Sequence, residues 1–471
     1  MKVVIVGAGI GGLSTALYLR KKGEEVTVIE KLDQPGGRAR SFSHEEFSFD
    51  MGPSWYLMPE VFEKFFHEVG EEPPQIMKVN PLFSLYTGKL NVLERSEEFN
   101  HDLSQFKDFE SYLEDTQFMY SLAMEKFLFK EMKFSDFLDP AIIRNLKRFP
   151  IFTSLDSFNR RYFSDDFLLK ALGFSSVFLG GSPFNTPAVY AIVNYAIYGK
   201  GVYYPKGGFA GYVTKLFEAC KKSGVQFKFN HEVDKIDVDN DKVISVRSGE
   251  DVERGDVFIF NMDYHYADTL LPMEYTMRGE SYWERRKLSP SAVLAYVGVE
   301  GEVNAPHHGI FINGNWKLHF DSISKGNEPD PENMSYYVSY RKATDSSLKG
   351  KDLVFLIPVS PGLLLPNYQD YVRKVIDDFK AKTRSSFHIK YEKVYRPVNF
   401  EEDYNAYKGS AFGLSHTLDQ TGPFRLPMKN RKLSNLFYVG QYTQPGIGVP
   451  MVTISSMILG DKILNWSKKI E

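Results

Sequence analysis

The sequence opens MKVVIVGAGIGGLSTALYL, and these residues constrain the fold more than any other stretch. Val3 to Val6 is an unbroken apolar run, the pattern of a parallel strand buried on both faces. Gly7-Ala-Gly9-Ile-Gly-Gly12 follows at once; Leu13, Ala16 and Leu17 then begin a helix that stops at Gly23, and Glu25 to Glu30 supplies a second strand. Such a βαβ unit predicts an α/β fold built on a doubly wound, Rossmann-like sheet. In it Gly7 permits the tight turn, Gly9 lets backbone approach a pyrophosphate, and Gly12 allows the helix to pack closely on the strand. The helix N-terminus adds free N–H groups and partial positive charge. Glu30, at the end of the second strand, stands where a carboxylate accepts hydrogen bonds from an adenosine ribose. These residues predict a bound dinucleotide. Pro35-Gly36-Gly37-Arg38 extends the site with two more glycines and a guanidinium fork for pyrophosphate, which favours FAD over NAD. No second GxGxxG is present, so the sequence offers no separate nicotinamide site of that type.

With 471 residues the chain is long enough for two or three domains. Lys plus Arg number 57 against 60 Asp plus Glu, a net charge of −3, so no overall positive field exists to hold nucleic acid. The single cysteine, Cys220, excludes an intramolecular disulfide and a multi-thiolate metal site, and suits a reducing cytoplasm. Its setting, KLFEACKKSG, reads as a helix-core thiol. No basic n-region with an apolar h-region precedes the first strand, so no signal peptide is predicted. Two uncharged stretches, 171–199 and 433–460, exceed the roughly 20 residues of a membrane-spanning helix. Pro183, Pro187, Gly180 and Gly181 interrupt the first, and Pro445, Gly446, Gly448 and Pro450 the second; both read as buried segments facing a ligand.

The pattern is mostly helical and aromatic from about 105 to 200, and β-like over 222–263 and again over about 290–360. The expected organisation is therefore interleaved. Residues 1–75, 201–265 and 425–471 form an FAD-binding domain, 76–200 a helical substrate and membrane-docking region, and 266–424 a β-rich substrate-binding domain. Val189, Tyr190, Ile192, Val193, Tyr195, Ala196 and Ile197 make a helix apolar on most sides, readable as tunnel wall or plain core. Residues 140–163 mix Arg144, Lys147, Arg148, Arg160 and Arg161 with Ile142, Ile143, Leu146, Phe149, Ile151 and Phe152, which suits a helix lying in a bilayer interface or a solvated basic helix.

Phe49-Asp50-Met-Gly52-Pro53-Ser54 continues the glycine-rich blocks, and the chain then resembles the bacterial-type phytoene desaturases, the carotenoid branch of the flavin amine-oxidase superfamily. The resemblance spans the chain: Leu179-Gly180-Gly181-Ser182-Pro183 with Pro187 and Tyr190, then Gly201 to Gly208, His307-His308 with Lys317, Tyr337-Val-Ser339, and Thr344-Asp345. Asn435 to Gly440 with Pro445-Gly446-Ile-Gly448-Val-Pro450 is similar to the family's C-terminal flavin signature. There a strand, a Gly/Pro turn and a new helix would aim N–H groups at the ring, with Gly440, Gly446, Gly448, Val449, Pro450 and Met451 as contacts. Val233 matches the position where backbone meets the adenine.

The resemblance implies FAD-dependent desaturation of a long isoprenoid hydrocarbon such as phytoene, in carotenoid biosynthesis, by an enzyme peripherally attached to the cytoplasmic membrane surface. The sequence does not identify the electron acceptor; oxygen and a quinone are both compatible with the resemblance. Asp136, in Lys133-Phe-Ser-Asp136, falls where the family carries an aspartate proposed to assist the chemistry, but Asp139 stands where an arginine is expected, so a helix-capping or solvated carboxylate is the favoured reading of Asp136 over an acid–base role. Adjacent strand residues point to opposite faces, so His307 and His308 are not expected to share a metal, and no metal site is predicted. The same motifs would serve a hydroxycarotenoid or C30 desaturase, an isomerase or a saturase. The related Rab GDP-dissociation inhibitors carry prenyl lipids without redox chemistry, and a soluble amine oxidase is a third alternative.

Overall fold

The computed structural model describes residues 1–87, 91–94, 107–145, 148, 150 and 152–468. Lys2–Val6 runs parallel to Glu25–Ile29 on one side and to Val257–Phe260 on the other, and Gln226–Lys228 and Leu436–Tyr438 complete a five-stranded parallel sheet. Its central strand has Val3, Val4 and Ile5 fully buried, as an unbroken apolar run requires. The helices Ile10–Lys21, Gly208–Lys222 and Val449–Ser467 pack together, Leu13 and Leu17 filling the space between. Gly460 lies so close to the Tyr18 ring that a Cβ would overlap it. Cys220 sits in the same core, its thiol against the Leu13 carbonyl, and burial pushes its pKa up.

The second layer is a mixed seven-stranded sheet in the order Ser386–Tyr395, Ser291–Glu302, Lys351–Val359, Ser335–Ser339, His308–Ile312, Ser84–Thr87, Asn91–Glu94. The last two strands belong to a segment read as helical. Phe83 and Leu85 are buried there and the run is too short to show helical spacing, so pairing with His308–Ile312 decides its conformation. Lys235–Asp239, Lys242–Ser248 and Asp251–Arg254 likewise form a separate antiparallel sheet rather than extending the parallel one.

Residues 140–163 do not form one helix. Asp139 caps a single turn, Pro140–Arg144, by accepting from the Ala141 N–H at 2.7 Å, and a second short helix spans Leu155–Asn159. Leu146, Lys147, Phe149 and Ile151 lie outside the described residues. Arg148 pairs with Asp115 and Arg160 with Asp156, so two of the cations read as lipid-facing are matched within the protein. The segment after Pro187 is irregular: a 3₁₀ turn at Ala188–Ala191, an α turn at Ile192–Tyr195 and a π turn at Ala196–Lys200. Among the described residues no helix is long and apolar enough to cross a membrane.

Candidate functional site

The glycine-rich blocks meet backbone to backbone. The Gly36 N–H donates to the Ala8 carbonyl at 2.8 Å, and a Cβ on Gly37 would stand 3.1 Å from the Gly9 Cα. Gly7 has φ +103° and presses on the carbonyl of Asn261, whose Nδ2 donates back to the Gly7 carbonyl at 3.2 Å. Sequence reasoning missed Asn261, because its place under the loop comes from the end of a strand some 250 residues further on.

A cavity of about 1020 Å³ starts at these loops. Gly7, Gly9, Glu30, Gly36, Gly37, Arg38, Val233, Gly440, Gly448, Val449, Pro450 and Met451 all line it. Gly12 and Gly446 do not; each is a packing position, where a Cβ would overlap the Gly7 carbonyl and the His416 ring respectively.

Four observations test whether a flavin nucleotide fits. Arg38 lies over the Tyr404 ring at 5.1 Å, with Nε and Nη2 buried and unpartnered, a cationic fork awaiting an anion. Gln441 Nε2 is likewise buried and unpartnered on the cavity wall. Gly448, at φ +111°, caps the helix Val449–Ser467, whose first turn faces the cavity with N–H groups that have no partner within the helix. Glu30 accepts from the Ala8 N–H at 2.6 Å and the Leu32 N–H at 2.9 Å; burial raises its pKa, and these two bonds oppose the rise. A carboxylate so held keeps lone pairs for a sugar hydroxyl. The residues fit the group.

Beyond the turn the cavity becomes an apolar arm walled by Phe127, Leu128, Phe178, Val189, Val193 and Ile310. Of the segment left open between tunnel wall and core, Val189, Tyr190, Ile192, Val193 and Ala196 line the arm, whereas Ile197 belongs to the core.

Asp136 is not on this wall. It closes the turn Phe134–Leu138, accepting from the Lys133 N–H at 2.7 Å and pairing with Lys130 at 2.8 Å. Lys130 first, then that N–H, hold its carboxyl below the usual range. His307 and His308 were expected on opposite faces, but His307 precedes the strand and escapes its pleat, so the rings lie 4.2 Å apart. Burial keeps both neutral, lowering His307 to about 3. Among the described residues no cluster of three or more His, Cys, Asp or Glu could hold a metal.

The family model for flavin-containing amine oxidoreductases matches residues 10–457. The chain belongs to that family. The chain is 34 % identical to the carotenoid 3,4-desaturase of Haloarcula japonica over 96 % of each chain, and 29 % identical to the zeta-carotene-forming phytoene desaturase of Myxococcus xanthus over 99 % of its own length and 94 % of the relative's. It falls in the family's carotenoid-desaturase branch. Its fold is shared with a Methanosarcina mazei oxidoreductase (TM-score 0.64, 19 % identity, covering 98 % of this chain and 100 % of the other) and with putrescine oxidase (TM-score 0.64, 12 % identity, covering 99 % of each).

Proposed function

We propose that this flavoenzyme uses FAD to introduce C=C bonds into a long isoprenoid of the phytoene type. The observation that carries the reading is the continuity of one cavity, from dinucleotide loops through the flavin turn into an arm walled by hydrocarbon side chains. Bound there, FAD supplies the two-electron acceptor for C–C oxidation. The protein's part is to hold the diphosphate with Arg38 and the first-turn amides of the helix Ile10–Lys21, to exclude water from the arm, and to set one C–H against the ring. Relatives named as carotenoid and phytoene desaturases support this substrate class.

Delivery of such a substrate favours a lipid surface at the cavity mouth. Phe134 (61 % exposed) and Phe152 (82 % exposed) line the opening together with Leu418 and Phe424, and Leu138 projects beside them. Lys130, Lys133 and Arg144 flank this rim on the same stretch of chain. Gln444 couples the rim to the flavin turn, accepting from the Met132 N–H at 2.6 Å and donating to its carbonyl at 3.2 Å. The double variant Phe134→Ser, Phe152→Ser should bind phosphatidylcholine vesicles at least about tenfold more weakly, a conservative figure for two buried rings. Co-sedimentation equal to wild type would reject this surface.

The catalytic reading is tested by giving the FAD-loaded protein liposomes carrying phytoene or its C30 counterpart and separating the polyenes by chromatography. New conjugated products are expected. A flavin-loaded protein that leaves every one of these hydrocarbons unchanged would overturn it.

A further inference from the structure

We propose that Arg425 tunes the flavin: its buried, uncompensated guanidinium stabilises the negative charge that the ring gains on two-electron reduction, and so raises the reduction potential of the cofactor. This rests on the flavin reading of the cavity and not on the choice of hydrocarbon. In the balanced step, two electrons and one proton enter the ring, which passes from neutral to a monoanion.

Among the described residues two arginines are almost fully enclosed, Arg341 and Arg425, each 4 % exposed. Arg341 holds two carboxylates, Asp50 and Asp352. Arg425 holds only backbone carbonyls: Nη1 donates to Gln420 at 3.2 Å and Leu414 at 3.5 Å, Nη2 donates to Gln441, and Nε has no partner. Carbonyl dipoles solvate a cation but leave its net charge in place. Burial pushes the Arg425 pKa down to about 10, and the groups that oppose the fall are the phenols of Tyr190, Tyr442 and Tyr282, so the side chain is a cation at neutral pH. The carboxylates of this wall are committed elsewhere. Asp263 accepts from the Tyr442 hydroxyl at 2.5 Å and has Arg38 as its arginine, and Asp419 pairs with Arg286 at 3.7 Å. A buried charge with no counterion is strongly unfavourable, so the position calls for an anion that arrives with a ligand.

The surroundings of Arg425 select the anion. The side chain does not line the cavity; it stands directly behind Gln441 and beside Tyr190 and His416, which do. Gln441 leads into the turn that ends at Gly448, and the His416 ring packs on Gly446 of that turn. The helix Val449–Ser467 begins there, with its first turn on the cavity wall. The diphosphate already has Arg38 and the amides of the helix Ile10–Lys21, so the charge left over falls to the ring. Coulomb attraction needs neither contact nor accessible surface: two unit charges about 12 Å apart at an effective dielectric of about 20 shift an equilibrium by about tenfold. A hydrocarbon C–H offers the protein little to polarise, so the driving force for its oxidation must be built into the acceptor. A fixed positive charge where negative charge develops, reinforced by the N-terminus of Val449–Ser467, supplies it without reorganisation.

The test is the midpoint potential of the bound flavin, measured without substrate by reductive titration of the FAD-loaded protein against a reference dye. Arg425→Gln removes the charge and keeps a hydrogen-bonding side chain. It should lower the ratio of reduced to oxidised flavin affinity at least about tenfold, which for a two-electron couple is about 30 mV. Its affinity for oxidised FAD should stay within about threefold of wild type. Arg425→Lys keeps the charge but cannot reproduce the guanidinium fork to the carbonyls, and should stay within about threefold of wild type in the same ratio. A purely structural role predicts the reverse, with lysine failing as glutamine does. Reduced wild type should show the anionic flavin spectrum in mildly acidic buffer, where free reduced FAD is protonated, a measurement that needs no variant.

A ratio for Arg425→Gln within about threefold of wild type would overturn the inference. So would a lysine variant that falls with the glutamine one, or a neutral reduced flavin in wild type under those conditions. Each of these leaves the flavin reading standing. A wild type that takes up no FAD would overturn that reading and this inference with it.

Discussion

Arg341→Met should lower the unfolding free energy by about 3–5 kcal/mol, the scale on which a buried ion pair fails when one partner is removed. The guanidinium is 4 % exposed and holds two carboxylates that are just as enclosed, Asp50 at 3.2 Å and Asp352 at 2.9 Å. Burial alone would lower its pKa, but Asp50, Tyr204 and Asp352 together hold it above its ordinary value. The cluster joins the two layers of the molecule. Asp50 also accepts from the N–H groups of Phe209 and Ala210, both at 2.9 Å, in the first turn of the helix Gly208–Lys222, whereas Asp352 lies in a strand of the seven-stranded sheet. Without the guanidinium both carboxylates stay buried with no cation, and each must be protonated or hydrated. Thermal and denaturant unfolding at fixed, saturating FAD would measure the loss, since bound cofactor adds its own stabilisation. Arg341→Met with Asp352→Asn should regain part of it by removing one orphaned charge. A loss below about 1 kcal/mol for the single variant would show that the cluster is hydrated and weakly coupled.

This cluster also shows where sequence reading runs out. That the Gly7–Gly12 loop, Glu30 and the Gly36–Arg38 block meet at one cavity was legible because strand, turn and helix lie within 40 residues, so spacing alone brings them together. The C-terminal turn was legible for the same reason: Gly440 to Met451 is one strand–turn–helix. Asp50 and Arg341 are some 290 residues apart, and nothing local in either marks the partnership. Asn261 was equally hidden, since its place under the Gly7 carbonyl is a product of tertiary packing. The reading of 140–163 as one interfacial helix failed on local grounds. Asp139 and Ser154 each cap a fresh helical start, and composition outweighed those signals in the sequence reading. Basic and apolar residues do mix there, but the exposed apolar side chains Phe134, Leu138, Ile143 and Phe152 stand on separate short turns.

Gly12→Ala should weaken FAD binding at least about 100-fold, although alanine is the smallest side chain that can be added. Gly12 does not touch the cavity, and its nearest neighbour is the carbonyl of Gly7, which a Cβ would overlap. That carbonyl cannot yield alone. It accepts from Asn261 Nδ2, and Gly7 itself is pressed against the Asn261 backbone and donates its N–H to the Ile29 carbonyl at 2.7 Å. The helix Ile10–Lys21 must therefore move as a unit away from the strand, and the N–H groups of its first turn move with it. Charge-assisted hydrogen bonds from such amides to phosphate are worth about 1.5–3 kcal/mol each, so misdirecting two of them gives a loss of about 3–6 kcal/mol. The helix's contacts with Gly208–Lys222 and Val449–Ser467 are extensive, and Tyr18 anchors it by donating to Asp461 at 2.7 Å, so the protein should remain folded while the first turn is displaced. Titration of the apoprotein with FAD, followed by flavin fluorescence, measures the affinity, and circular dichroism checks the fold. Gly23→Ala, at the far end of the same helix where a Cβ meets nothing within 4 Å, carries the backbone strain of φ +100° without the overlap and should leave FAD affinity near wild type. Equal affinity in Gly12→Ala and wild type would mean that the loop can open without cost, and would remove close helix–strand packing from the account of how the cofactor is held.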